Sequence, residues 1–373
     1  MVGMVWPGRG TGEFCTKCAK LERDLLPLAG AAHRTALMPS EPLFGAPQPA
    51  GRCAGPTPVQ QEPPMTPHSP VYPGVLPHHG RFPYQAITRR PQHPWPGGAR
   101  LAVYLAVNHE HFAFGQGMGA MIGPASPQPD VLNYNWREYG NRVGAWRCLE
   151  LLDELEMPAA ALLNTALYDH CPELVQACVD RGDELVGHGH TNAERQGGWN
   201  EDEERGLLER CRSLMQARSG RTPSGWLSPW ISESLLTPDL LAETGYAYTL
   251  NWCHDDQPVP MRTRSGRTLW SVPYPQELND IPMIMARQMD AKDFAQMVID
   301  QFDEMLEQSR RQPLVMGIAL HPYIVGQPYR LRHLRRALQH IQRERESAAG
   351  RVWLTTPGAV CAHVSAAAAA GAT

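Results

Sequence analysis

At 373 residues, 42% of them hydrophobic, the chain can bury one core of about 250 residues or two smaller ones. A net charge of −4 and a pI near 6.4 exclude the basic footprint of a nucleic-acid-binding protein, so no nucleic-acid partner is expected. No apolar run reaches the roughly 18 residues of a membrane span, and the first residues lack the charged and apolar regions of a secretory signal. Nine cysteines at irregular spacings read as reduced thiols of a cytoplasmic protein rather than a disulfide framework.

Residues 1–85 are rich in Pro and Gly, with eight prolines between Pro56 and Pro77. Such a stretch cannot offset its ordering entropy by burial, and it reads as a disordered extension. Met38 and Met65 are alternative starts within it. Cys15 and Cys18 form a single CxxC, weak as a zinc site, and His68, His78 and His79 read as polar filler. After Pro96 the pattern changes to alternating strands and helices over 86–360. Strands are predicted over 101–107, 159–163, 184–187, 224–227, 246–250, 268–272, 313–320 and 351–354. Helices are predicted around 143–155 and over 172–181, 202–218, 238–244, 290–305 and 331–346. The glycine-bearing stretch after the first strand (Gly115, Gly117, Gly119, Gly123) is predicted as a long loop. The Ala-rich residues 361–373 read as a disordered tail. Repeated βα units predict an α/β fold with a parallel sheet, seven or eight repeats favour a distorted barrel, and no GxGxxG follows the first strand.

In such a barrel the residues just past each strand converge on one rim. Asn108 and Glu110 follow the first strand, His188 and Asn192 the third, and Asp255 and Asp256 the fifth. Glu277, Asn279 and Asp280 follow the sixth, and His321 the seventh.

These residues carry a resemblance. Glu184-Leu-Val-Gly-His188-Gly-His-Thr-Asn192 resembles the E-[IV]-x-x-H-G-x-x-H segment of the polysaccharide deacetylase (NodB-homology) family. Ala106-Val-Asn108-His-Glu110 lies where that family has its early acidic motif, and Leu320-His321-Pro322 is similar to its late His segment. Val107-Asn-His-Glu110, Tyr139-Gly-Asn-Arg142-Val-Gly, Asp255-Asp-Gln-Pro258, Asn279-Asp280 and the stretch from His321 to Tyr329 resemble the subgroup that includes cofactor-independent allantoinases. The resemblance implies a NodB-type barrel that hydrolyses carbon–nitrogen bonds, and its metal-independent relatives imply a homo-oligomer. Two departures stand out. Asn108 replaces the family's general base, and Asn192 replaces one of two His ligands, so a metal would be held by Glu110, His188 and Asn192. The cofactor expectation is therefore none or one divalent metal, zinc included.

Amide hydrolysis needs an activated water, a stabilised oxyanion and an acid for the leaving nitrogen. Glu110 is expected to activate or orient the water, with a pKa raised by burial. His188 would hold the carbonyl oxygen or a metal, and His321 would protonate nitrogen. Asn108, Asn192, Asp255, Asp256, Asn279 and Asp280 would bind substrate or orient His321. The partner expected is a small amide, ureide or N-acyl compound, with no membrane involved. Two alternatives stand. One is a metal-dependent carbohydrate deacetylase in which His109, His111 or His190 supplies the missing imidazole. The other is an inactive barrel that only binds.

Overall fold

In the computed structural model the described residues are 78–371, apart from 91, 93, 116–118, 126, 348 and 349. The expectations for residues 1–77, including Cys15, Cys18, Met38, Met65 and His68, lie outside the described residues.

The chain opens its sheet with β1 (Leu101–His109), every residue of which is buried. A strand buried along its whole length, rather than alternately, is a strand of a parallel sheet covered on both faces. Helix α1 (Val131–Tyr139), capped by the Asp130 side chain, occupies part of the stretch predicted as loop. It runs through a π-helical turn (Gly140–Gly144) into α2 (Ala145–Glu154). Then come β2 (Ala159–Leu163), the short α3 (Leu167–His170), α4 (Pro172–Arg181) and β3 (Glu184–Gly187). The sequence markers of α4 are its terminal signals: Pro172 at its start and Gly182 in the left-handed conformation at its end (φ 81°). Next are α5 (Glu201–Ser219), with an Asn200–Glu203 capping box, β4 (Gly225–Trp226), α6 (Thr237–Glu243) and β5 (Tyr248–Thr249). β6 (Val259–Met261) and β7 (Leu269–Ser271) follow. The chain ends with α7 (Ala291–Gln308), β8 (Leu314–Leu320), α8 (Pro322–Val325), α9 (Pro328–Ser347), β9 (Val352–Thr355) and α10 (Pro357–Ala369).

The strand order is β6-β7-β5-β4-β3-β2-β1-β8, with β9 on the lower half of β1. All pairs are parallel except β6 with β7, and β6 was not expected from the sequence. The sheet curls into an incomplete barrel. Its closing seam is made by residues 272–279, which end in a parallel bridge between Asn279 and Ala319. Residues 361–369 continue α10 rather than fraying. Cys361 is buried, and Val364 and Ala368 pack on the cluster that fills the barrel, because this face of the helix is apolar. Among the described residues no helix is long and apolar enough to cross a membrane, and the six cysteines described are free.

Candidate active site

The parity of each strand decides what its end presents. Ala102, Tyr104 and Ala106 of β1 pack inside the barrel with Leu162, Val186, Tyr248 and Val315. Leu101, Val103, Leu105 and Val107 pack outward with Leu152, Val298, Phe302 and Leu338 of the helices. Successive strand side chains alternate faces, so Asn108 and Glu110 continue the inner row, while His109 and His111 continue the outer one. The same alternation carries Leu162 on to Asn164, Val186 to His188 and Ala319 to His321.

Glu110, His188 and His321 therefore meet, all of them buried. Glu110 Oε1 lies 3.5 Å from His188 Nε2 and 3.5 Å from His321 Nε2. Tyr323 donates its hydroxyl to Glu110 Oε2 at 3.0 Å, and Asn141 Nδ2 donates to the Glu110 carbonyl at 2.8 Å. The fully buried Asp280 grips His321 twice, taking its ring Nδ1 at 2.6 Å and its backbone N–H at 2.8 Å. His188 Nδ1 faces the Leu227 carbonyl at 2.7 Å. A carbonyl only accepts, so Nδ1 carries a proton, and the other ring nitrogen, Nε2, faces the Glu110 carboxylate. That atom is buried without a hydrogen-bond partner among the described residues, its 3.5 Å approach to Glu110 being too long for a bond.

The electrostatics also differ from expectation. Burial pushes Glu110 up, but the charge on His321, with His188 close by, outweighs it and holds the carboxyl at about 2 rather than above its usual range. Burial alone would lower His321, yet Asp280 and then Glu110 raise it to about 10. Burial raises Asp280, against the pull of His321. The site thus holds an imidazolium between two carboxylates.

Asn279, also predicted as a site residue, caps a turn, its Oδ1 accepting from the Ile281 N–H at 3.1 Å. Asn108 donates to the Tyr274 hydroxyl at 3.2 Å and to the Leu320 carbonyl at 3.3 Å, tying the seam to the barrel. Asn192 is buried beside the cluster's rim. Its N–H donates to the His111 carbonyl, its carbonyl accepts from Trp230 Nε1 at 2.7 Å, and its Oδ1 has no partner among the described residues.

Asp255 and Asp256 are not at the rim. Asp255 pairs with Arg90 at 2.5 Å, and the Asp256 carbonyl accepts from Val315 N–H at 2.8 Å, at the start of β8 rather than its end. The reason is the stagger of a curled sheet: strand ends climb around it. β5 and β7 stop level with the start of β8, and residues 272–279 still have to run up the seam before Asn279 reaches Ala319. Both aspartates, with Glu277, line a separate cavity of about 1130 Å3 between that seam, α7 and residues 82–90. His109 meets Cys178 Sγ at 3.8 Å, His111 stacks on His170 with ring centroids 4.1 Å apart, and His190 Nδ1 lies 3.0 Å from Thr165 Oγ1. None of the three replaces the missing imidazole.

Sequence reasoning missed the residues that hold this cluster in place. Asn164 accepts from the His111 N–H at 2.8 Å and donates to the His188 carbonyl, clamping two strand ends together. The π-helical turn packs backbone to backbone against α8: a Cβ at Gly140 would stand 2.9 Å from Tyr323 N, and one at Gly144 would overlap the Pro322 carbonyl. The signal was present in the glycines of Tyr139-Gly-Asn-Arg-Val-Gly144 and in Gly326, which a close approach requires. Gly144→Ala is accordingly expected to cost about 1–3 kcal/mol and to displace the His321 turn. The check is a lowered thermal midpoint together with reduced turnover.

The donors present suit a metal in composition. Glu110 contributes a carboxylate, His188 a buried ring nitrogen and Asn192 a buried amide oxygen, the last two without partners among the described residues. Among the described residues no group of three His, Cys, Asp or Glu is arranged to hold an ion, so such a site would depend on Asn192.

Comparison with known proteins agrees with this geometry. The family model for polysaccharide deacetylase matches residues 138–249, a span that contains His188 and lies between Glu110 and His321. A putative polysaccharide deacetylase of Schizosaccharomyces pombe is 26% identical over 278 residues, covering 66% of this chain and 86% of its own. The crystal structure of a probable polysaccharide deacetylase from Pseudomonas aeruginosa PAO1 superposes with a TM-score of 0.66 at 25% identity. The Puue allantoinase superposes at 0.65, also at 25% identity, and both structures cover 76% of this chain and 97% of their own.

Proposed function

The chain belongs to the polysaccharide deacetylase (NodB-homology) superfamily, and from that premise we propose that it hydrolyses the carbon–nitrogen bond of a small amide, ureide or N-acyl compound at Glu110, His188 and His321. One observation carries the reading. A buried carboxylate stands 3.5 Å from the Nε2 atoms of two imidazoles, one held as a cation beside Asp280 and the other with its Nδ1 turned to a backbone carbonyl. That is the acid and the acceptor that amide hydrolysis needs.

Glu110 orients a water, and His188 Nε2 takes a proton from it as its oxygen bonds to the carbonyl carbon. His321, protonated between Asp280 and Glu110, passes its Nε2 proton to the nitrogen as the carbon–nitrogen bond breaks. The products are an acid and an amine. A divalent metal held by Glu110, His188 and Asn192 would supply Lewis-acid polarisation of the carbonyl. The burial of all three catalytic side chains favours a small substrate over a long polymer, and the free cysteines suit a cytoplasmic setting.

The test is a screen of cyclic ureides, formamides, N-carbamoyl compounds and N-acetyl sugars, with metal content measured on the same sample. Turnover of a small amide that survives chelation is the expected result. Turnover confined to N-acetyl sugars, with stoichiometric metal lost together with activity, would favour the carbohydrate deacetylase. Binding without hydrolysis across the panel would favour an inactive barrel.

A further inference from the structure

One buried cation near the site is left incomplete. Arg137 is only 9% exposed and follows Trp136 on α1. It lies one helical turn before Asn141, the residue that holds the Glu110 carbonyl, so the two share a face. Its guanidinium lies over the Phe112 ring at 4.5 Å. Phe112 meets Tyr323 edge-on at 6.1 Å between centroids, and Tyr323 donates to Glu110. Two aromatic rings therefore link the guanidinium to the catalytic carboxylate.

A guanidinium carries five N–H donors. Arg137 uses Nη1 on the Ala120 carbonyl at 3.2 Å and makes no salt bridge among the described residues, although the Tyr323 hydroxyl and the Asp130 and Glu110 carboxylates are near enough to influence it. Nε is buried with no partner among the described residues, and Nη2 makes no hydrogen bond there either. Nε and Nη2 together form the edge of the fork that takes a carboxylate bidentately. A buried N–H without a partner costs free energy, and one left so in a native fold calls for a missing acceptor.

We propose that Arg137 recognises a carboxylate on the substrate, so that the compound hydrolysed is an anionic amide whose acid group lies on the Phe112 side of the scissile bond. This rests on the hydrolase reading above and narrows it to N-acyl, N-formyl or N-carbamoyl acids. The acid group docks on Nε and Nη2, and the Phe112 and Tyr323 rings line the span between it and the reacting carbon. Arg137 takes no part in bond breaking; it selects and positions.

The experiment pairs turnover with binding, using N-acetyl, N-formyl and N-carbamoyl amino acids and their methyl esters. In the wild-type chain the acid of a pair should be hydrolysed about 100-fold more efficiently than its ester, and Arg137→Met should bring that ratio close to one, mainly through KM. Arg137→Lys, which keeps charge but loses the fork, should restore only part of the ratio. Arg137→Met should leave the thermal midpoint unchanged or raised, because it removes a buried N–H that has no partner; a sharp drop would show a purely structural Arg137 and overturn the proposal. Binding is read by calorimetry on the Glu110→Gln chain, so that it does not depend on turnover. Acids that bind more tightly than their esters, with the difference lost on adding Arg137→Met, would sustain the proposal even if no amide in the panel were hydrolysed. In that case only the hydrolase reading falls. Acid and ester that bind or turn over equally in the wild-type chain would overturn the proposal and leave the hydrolase reading intact.

Discussion

Glu110→Gln is expected to reduce turnover about 1000-fold while leaving the fold in place. Gln keeps the shape of the side chain and an oxygen for the Tyr323 hydroxyl, so the inner row of β1 is not disturbed. What it loses is the negative charge that faces both imidazoles and that, in the proposed reaction, orients the water. The change also has a signature in stability. Because the folded value of about 2 lies below the ordinary carboxylate value of 4.5, Glu110 adds stability that is present above pH 4.5 and lost as pH falls toward 2. The variant should show a flatter acid limb in denaturation than the wild type, with a midpoint at neutral pH shifted by only a few degrees. Activity retained in Glu110→Gln would sink the assignment.

The fold was legible because β1, β2 and β8 are apolar runs and the helices carry terminal signals: Pro172 and Gly182 bound α4, and Asn200 with Glu203 begins α5. The meeting of Glu110, His188 and His321 was legible for a related reason. A fully buried parallel strand fixes the face on which its polar end must emerge, so Glu110, His188 and His321 follow from counting residues along three strands. Asp255 and Asp256 show where counting fails. β5 and β7 are two and three residues long, and the level at which so short a strand ends depends on stagger around the barrel, which no local pattern encodes. Asn164, Tyr323 and Arg137 were missed for another reason. Each acts through partners from distant segments, and an Asn, Tyr or Arg beside a hydrophobic run carries no mark of that in the sequence. The value for Glu110 was misjudged on burial alone, since the charge that reverses it comes from a histidine 211 residues along the chain, at His321.

Asp280→Asn is the second substitution with a large expected effect, because it separates holding a proton from holding a ring. The new side chain would keep the size of the old one, but an amide cannot match the two-point grip of the carboxylate on the His321 ring and backbone. With the Asp280 carboxylate gone, the largest influence raising His321 disappears and burial pulls the ring back down, leaving Glu110 as its sole carboxylate. In the wild type the His321 value of about 10 lies above the ordinary imidazole value of 6.5. Its contribution to stability is therefore complete below pH 6.5 and is lost as pH rises toward 10. The variant should forfeit much of that contribution, and its alkaline stability limb should flatten. Turnover should fall by about 100- to 10,000-fold at neutral pH, as expected when a general acid loses its orienting partner. The descending limb of kcat against pH should also move to lower pH, because His321 then releases its proton earlier. A profile that drops in height without moving would show that Asp280 only positions the ring and that the proton on His321 is not the one delivered to nitrogen.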